Sequence, residues 1–195
     1  LELIISHLHK LIFTTTPKSG SLTGFVLMRE YFNAVAEFNH RVKVPKQYKH
    51  YHNFTFVRNP YERFCALYHS CVVLKQPKYM AVIPKFARKD MVSYIKWCIS
   101  LIPQNSYPQS SIAGLYTSQS LWHERSEVKE FIHIEEANKI FNFKYPELKI
   151  IFPHVRKREH VTWDEIKTEE LTYLINKWAS LDFELYNYAK VNISS

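Results

Sequence analysis

Residues 13–23 read Phe-Thr-Thr-Thr-Pro-Lys-Ser-Gly-Ser-Leu-Thr and concentrate the side chains that suit an anion. Lys18 carries a full positive charge, and Ser19, Ser21 and Thr23 supply hydroxyl donors. A second cation, Arg58, stands in Phe54-Thr55-Phe56-Val57-Arg58-Asn59-Pro60. Its planar guanidinium suits two-point recognition of a phosphate. Two such cationic segments in one chain suit a multiply charged ligand.

These groups need elements to hold them. Leu11, Ile12 and Phe13 form an apolar run short enough for a buried strand. Pro17 and Gly20 break regular structure after it. From Ser21, the apolar residues Leu22, Phe25, Val26, Met28, Phe32, Val35 and Ala36 recur at helical spacing, so the chain is expected to be helical through Ala36. A helix opening on such a loop aims unpaired N–H groups and its positive dipole end at the loop's occupant. The lysine precedes Gly20, so the order is not that of a Walker A loop, G-x-x-x-x-G-K-[ST]. The plain alternative is a Ser/Thr-rich turn that caps a helix.

Residues 54–57 alternate and are rich in aromatics, as a strand is. Pro60 fits the first turn of a following helix, with Phe64, Leu67, Tyr68 and Cys71 on its apolar face. A further helix is expected over 90–101, a strand over 131–134 and a helix from 135 to about 141. Thr162-x-x-Glu165 has capping-box form, and 169–178 and 181–188 read as closing helices. Residues 102–120, rich in Pro, Ser, Gln and Asn, read as a long surface loop. Alternating strands and helices predict an α/β fold, with a parallel sheet flanked by helices and a ligand at the carboxyl ends of the strands.

With 195 residues the chain is most simply one domain, 1–195, with room for a sizeable core. Its net charge of +8 is spread in small clusters at 43–49, 85–89 and 156–158, which is the pattern of a solvated basic surface that also attracts anions. The cluster Arg156-Lys157-Arg158, between His154 and His160, is a candidate for an extra contact to a nucleotide or an anionic acceptor. No apolar run reaches the length of a membrane span, and no signal peptide is visible. The first residue is Leu1 rather than methionine, which leaves room for upstream targeting or anchoring residues. Cys65, Cys71 and Cys98 show no metal or disulfide spacing and read as reduced thiols. Asn53-Phe54-Thr55 is a sequon on a buried strand, where a glycan fits poorly. These features weakly favour a cytoplasmic setting, with a Golgi-lumen fragment as the alternative.

The order Pro17-Lys18-Ser19-Gly20-x-x-Thr23 resembles the 5′-phosphosulfate loop of sulfotransferases that use 3′-phosphoadenosine 5′-phosphosulfate (PAPS). Residues 57–68, Val-Arg-Asn-Pro-Tyr-Glu-Arg-Phe-Cys-Ala-Leu-Tyr, resemble the 3′-phosphate segment of the carbohydrate-type branch of that superfamily. The ending Asp182-Phe183-Glu184 is similar to the terminus of those domains, so the resemblance runs from about Leu11 to Tyr188. It implies a P-loop-like three-layer fold with a central, mostly parallel sheet. It also implies sulfuryl transfer from PAPS, without a metal, to a hydroxyl of a carbohydrate or a small metabolite. Pro17, Lys18, Ser19, Gly20, Ser21, Leu22 and Thr23 would hold the 5′-phosphate side, and Arg58 the 3′-phosphate. Lys18 would also neutralise charge on the leaving oxygen.

A general base is expected between the two segments. The candidates are His40, His50, His52, Glu30 and Glu37. His50 and His52 precede the strand that leads to Arg58 and so fall at its far end, which singles out His40. One departure from the family pattern stands out: Ala66 occupies the position of a serine that would bind the 3′-phosphate, with Ser70 one helical turn further on. This departure keeps a non-catalytic nucleotide- or polyanion-binding module in play. A nucleic-acid binder and a P-loop kinase lack their characteristic motifs here.

Overall fold

The computed structural model describes residues 2–39, 44–101, 117–123, 127–152 and 161–192. Contacts divide the chain into two compact units, each built from two stretches: residues 1–58 with 123–158, and 59–122 with 159–195.

The first unit is a sheet. Its strands are β1 (Glu2–Ser6), β2 (Leu11–Thr14), β3 (Val35–Asn39), β4 (His52–Val57) and β5 (Glu130–His133), in the order β3-β1-β2-β4-β5. β2, β4 and β5 pair in parallel, while β1 is antiparallel to both β2 and β3. Four strands therefore share one direction and β1 opposes them. The hairpin that brings in β1 has no counterpart in the sequence pattern, whose first strand signal starts at Leu11.

Helices α1 (Ser21–Phe32) and α6 (Ala137–Lys144) cover one face of this sheet. Phe13, Phe54, Phe56 and Ile132 project from the strands into a core with Leu27, Met28, Phe32 and Phe141. Period-2 alternation sends their neighbours to the opposite face, where Ile12 packs with Leu3, Ile5, Val44 and Tyr51. The helix expected to run through Ala36 ends at Phe32. Asn33 adopts the left-handed conformation (φ 48°) and its N–H bonds back to Met28, after which Val35 and Ala36 start β3.

The second unit is helical among its described residues. It holds α2 (Pro60–Tyr68), α3 (Pro77–Met80), α4 (Met91–Leu101), the start of α5 (Gln119–His123), α7 (Trp163–Ile166), α8 (Glu169–Trp178) and α9 (Ser180–Leu185). Pro60 occupies the first turn of α2, and the Asn59 side chain accepts from the Tyr61 N–H. The capping box of Thr162 and Glu165 forms at α7. Phe64, Leu67, Tyr94, Ile95, Ile175 and Trp178 dominate a single apolar cluster. The three cysteines are free and buried. No helix among the described residues is long and apolar enough to cross a membrane.

The surface loop expected over 102–120 needs correction at its described end. Thr117, Ser118, Gln119 and Ser120 are buried, and α5 starts at Gln119. Asp182, fully buried, accepts from the Gln119 and Ser120 amides at 2.8 and 2.7 Å. The Arg63 guanidinium donates to the Thr117 carbonyl at 3.0 Å. Polar composition there marks satisfied burial rather than exposure.

Candidate functional site

The sheet order sets the site. From β2 the chain passes through α1 to β3, on one side of β2. β4 lies on the other side of β2 and its chain eventually returns as β5, further out. Connections that leave two adjacent parallel strands in opposite directions open a crevice at their carboxyl ends. Residues 15–20 leave β2 there, and Arg58 follows the last residue of β4. The sheet thus brings the two sequence-predicted cationic segments to one edge.

The loop turns on two left-handed residues, Lys18 (φ 63°) and Gly20 (φ 86°). A side chain at Gly20 would meet Ile134 Cδ1 at 2.7 Å as well as the strained φ. Gly24, one turn into α1, is required for a different reason: its Cβ would sit 2.1 Å from the buried Phe13 ring. The absence of both side chains lets the helix start close against the sheet. Gly20 is the N-cap of α1, no side chain caps the helix, and its first turn holds no acidic residue. The amides of Ser21, Leu22 and Thr23 stand where a helix has no acceptor of its own. An anion is the complement of that end.

Two of the expected ligand donors are already engaged. The Ser19 amide donates to the Thr16 carbonyl at 3.2 Å, and Ser19 is buried. The Ser21 hydroxyl donates to the same carbonyl at 2.6 Å. Both hold the loop closed on Thr16 rather than reaching outward. Pro17, Lys18 and Thr23 are half-buried, and Leu22 is exposed.

Beneath the loop lies a layer of hydroxyls that sequence reading missed. Thr16 Oγ1 is 3.1 Å from Thr55 Oγ1 and 2.5 Å from His123 Nε2. Thr55 Oγ1 donates to the Thr14 carbonyl at 2.6 Å, and Thr14 Oγ1 donates to Asn53 Oδ1 at 2.8 Å. All five residues are buried. The signal for it was a run of polar residues, Thr14, Thr16, Asn53 and Thr55, in and beside strands otherwise apolar. Such residues require partners.

The base candidates separate by position. His52 pairs with Leu11 at the starting end of both strands and bonds Glu130 at 2.7 Å, away from the loop. His50 is exposed and packs edge-on to Tyr51, just before that end. Glu30 lies ten residues along α1 from Gly20, which at the rise of a helix is about 15 Å. Glu37 lies on β3, and its side chain is outside what is described. His40 and the cluster at 156–158 with His154 and His160 lie outside the described residues. β3 ends at Asn39 on the sheet edge where β2 ends, because both strands run the same way.

In the helical unit, Ala66 is buried on α2, which passes into a π-helical turn over His69–Val73. Ser70 falls at the start of that wider turn and is buried. Among the described residues, no cluster of His, Cys, Asp and Glu has the makings of a metal site. Comparison with protein-family models, with curated proteins and with solved structures finds no match to this chain.

Proposed function

We propose that this chain is a PAPS-dependent sulfotransferase domain, P-loop-like in fold, that transfers a sulfuryl group to a hydroxyl of a carbohydrate or small metabolite. One observation carries the reading. The Lys18 loop and Arg58 emerge from adjacent parallel strands at their carboxyl ends, where the connections diverge. The residues fit such a ligand: a helix start with no side-chain cap and no acidic residue, a lysine beside it and an arginine just past the end of the neighbouring strand.

PAPS, when bound, supplies the activated sulfuryl group. The amides of Ser21, Leu22 and Thr23 bind the 5′-phosphate end, and Arg58 binds the 3′-phosphate. Lys18 holds positive charge where the leaving oxygen becomes anionic. His40 accepts the proton of the acceptor hydroxyl.

A calorimetric titration with 3′-phosphoadenosine 5′-phosphate against 5′-AMP tests the reading. A preference of about tenfold or more, the worth of one charge-assisted contact, is expected. Lys18→Ala should then remove turnover with PAPS and leave the melting temperature nearly unchanged. Equal binding of the two nucleotides would favour the second reading, a non-catalytic anion-binding module, to which Ala66 lends its weight.

A further inference from the structure

We propose that His123 is a positioning residue for the phosphate loop, acting as the donor that orders a directional chain of hydroxyls beneath it. The proposal rests on the reading of residues 15–23 as the phosphate site. It follows from counting protons. A threonine hydroxyl has one proton to give. Thr55 gives its proton to the Thr14 carbonyl at 2.6 Å, since its other carbonyl contact, to Phe56, is 3.5 Å long. Thr55 Oγ1 must therefore accept from Thr16, 3.1 Å away. Thr16 has then used its own proton, so the 2.5 Å contact to His123 needs a proton on Nε2. Any other assignment leaves two lone pairs facing each other in a buried site, where an unmade hydrogen bond is penalised. The order is His123 Nε2–H to Thr16, Thr16 to Thr55, and Thr55 to the Thr14 carbonyl.

The consequence falls on the loop. The Thr16 carbonyl receives both the Ser19 amide and the Ser21 hydroxyl, so the place of Thr16 fixes the turn that carries Lys18. His123 is held in turn by its ring contact with Phe131, with centroids 5.2 Å apart. The side chain thus braces the loop through Thr16.

Long-range proton–nitrogen NMR of the 15N-labelled full chain reads the tautomer, with His123→Gln identifying the His123 signals by their loss. A proton on Nε2 is expected, and a bare Nε2 would overturn the proposal. Hydrogen exchange supplies the second readout. His123→Leu should speed exchange of the Ser19 amide, which donates to the Thr16 carbonyl, by about tenfold, the value of one net hydrogen bond. His123→Gln, whose amide nitrogen can donate from a similar place, should restore most of the protection. Protection unchanged in His123→Leu would overturn the proposal. Should that variant fail to fold, Thr16→Val removes the same link, and unchanged protection there overturns the proposal equally. Neither readout uses a nucleotide. A wild-type chain that fails to prefer 3′-phosphoadenosine 5′-phosphate would therefore defeat the sulfotransferase reading while leaving this one to be judged alone.

Discussion

The sheet unit and the helical unit each bury polar groups, and they do so with different chemistry. Under the loop that carries Lys18 the buried groups include no carboxylate, lysine or arginine: they are threonine hydroxyls, an asparagine amide and an imidazole joined by hydrogen bonds. In the helical unit they are charged. Arg63 is fully buried against the face of Trp178, and Asp182, also fully buried, gathers the Gln119 and Ser120 amides. Burial pulls the Arg63 guanidinium below the usual arginine range, and the Asp182 carboxylate is the strongest influence pushing it back. A charged network answers its own field and leaves little for a ligand. A layer without carboxylates can brace a loop without neutralising the cation the loop presents. Among the described residues, the helical unit buries an arginine and an aspartate, and the sheet unit buries no lysine, arginine, aspartate or glutamate.

Substitutions can break or sharpen that contrast. The largest effect is expected from Asp182→Ala, which leaves Arg63 without its main electrostatic partner and should cost about 3–5 kcal/mol in urea unfolding. Gly24→Ala comes next. It drives a methyl into the Phe13 ring in a packed core and should cost about 2–3 kcal/mol by the same measurement. Thr55→Val removes one link of the hydroxyl chain and should cost about 1–2 kcal/mol. A loss from Thr55→Val equal to that from Asp182→Ala would erase the distinction between the two networks. The smallest effect is a gain. Lys18→Gly relieves a left-handed lysine and should raise stability by up to ~1 kcal/mol while weakening binding of 3′-phosphoadenosine 5′-phosphate and 5′-AMP alike. A chain that loses stability on that change would mean that Lys18 packs rather than binds.

Much of the local layout was legible in the sequence, because local signals wrote it. The apolar run of β2, the Pro17 and Gly20 breaks, Pro60 at the start of α2 and the Thr162 capping box each act within a few residues. Two expectations failed where a local pattern met a longer-range choice. Val35 and Ala36 keep helical spacing, yet Asn33 turns the chain and pairing with β1 makes them a strand. Residues 117–120 look like loop, yet Asp182 and Arg63 pull them into the interior. His123 was illegible for the same reason: its partner Thr16 lies 107 residues away, and nothing near it in sequence announces the contact. The site itself was half-visible. Its cations stood in recognisable segments, but the sheet order that joins them, and the hydroxyl layer under them, belong to the tertiary structure alone.

Asn53 raises a matter of timing. Its side chain accepts the Thr14 hydroxyl and donates to the Glu127 carbonyl, deep in the middle of the sheet. The nitrogen that donates to Glu127 is the one a sugar would have to occupy in the sequon Asn53-Phe54-Thr55. Folding and modification therefore compete for a single atom. A chain that folds first has hidden its acceptor for good, and a chain modified first carries a bulky, solvated group on a strand that must go inside. Every molecule with a completed sheet is then a molecule that escaped the sugar, so a sugar at Asn53 would mark a chain modified before its sheet closed.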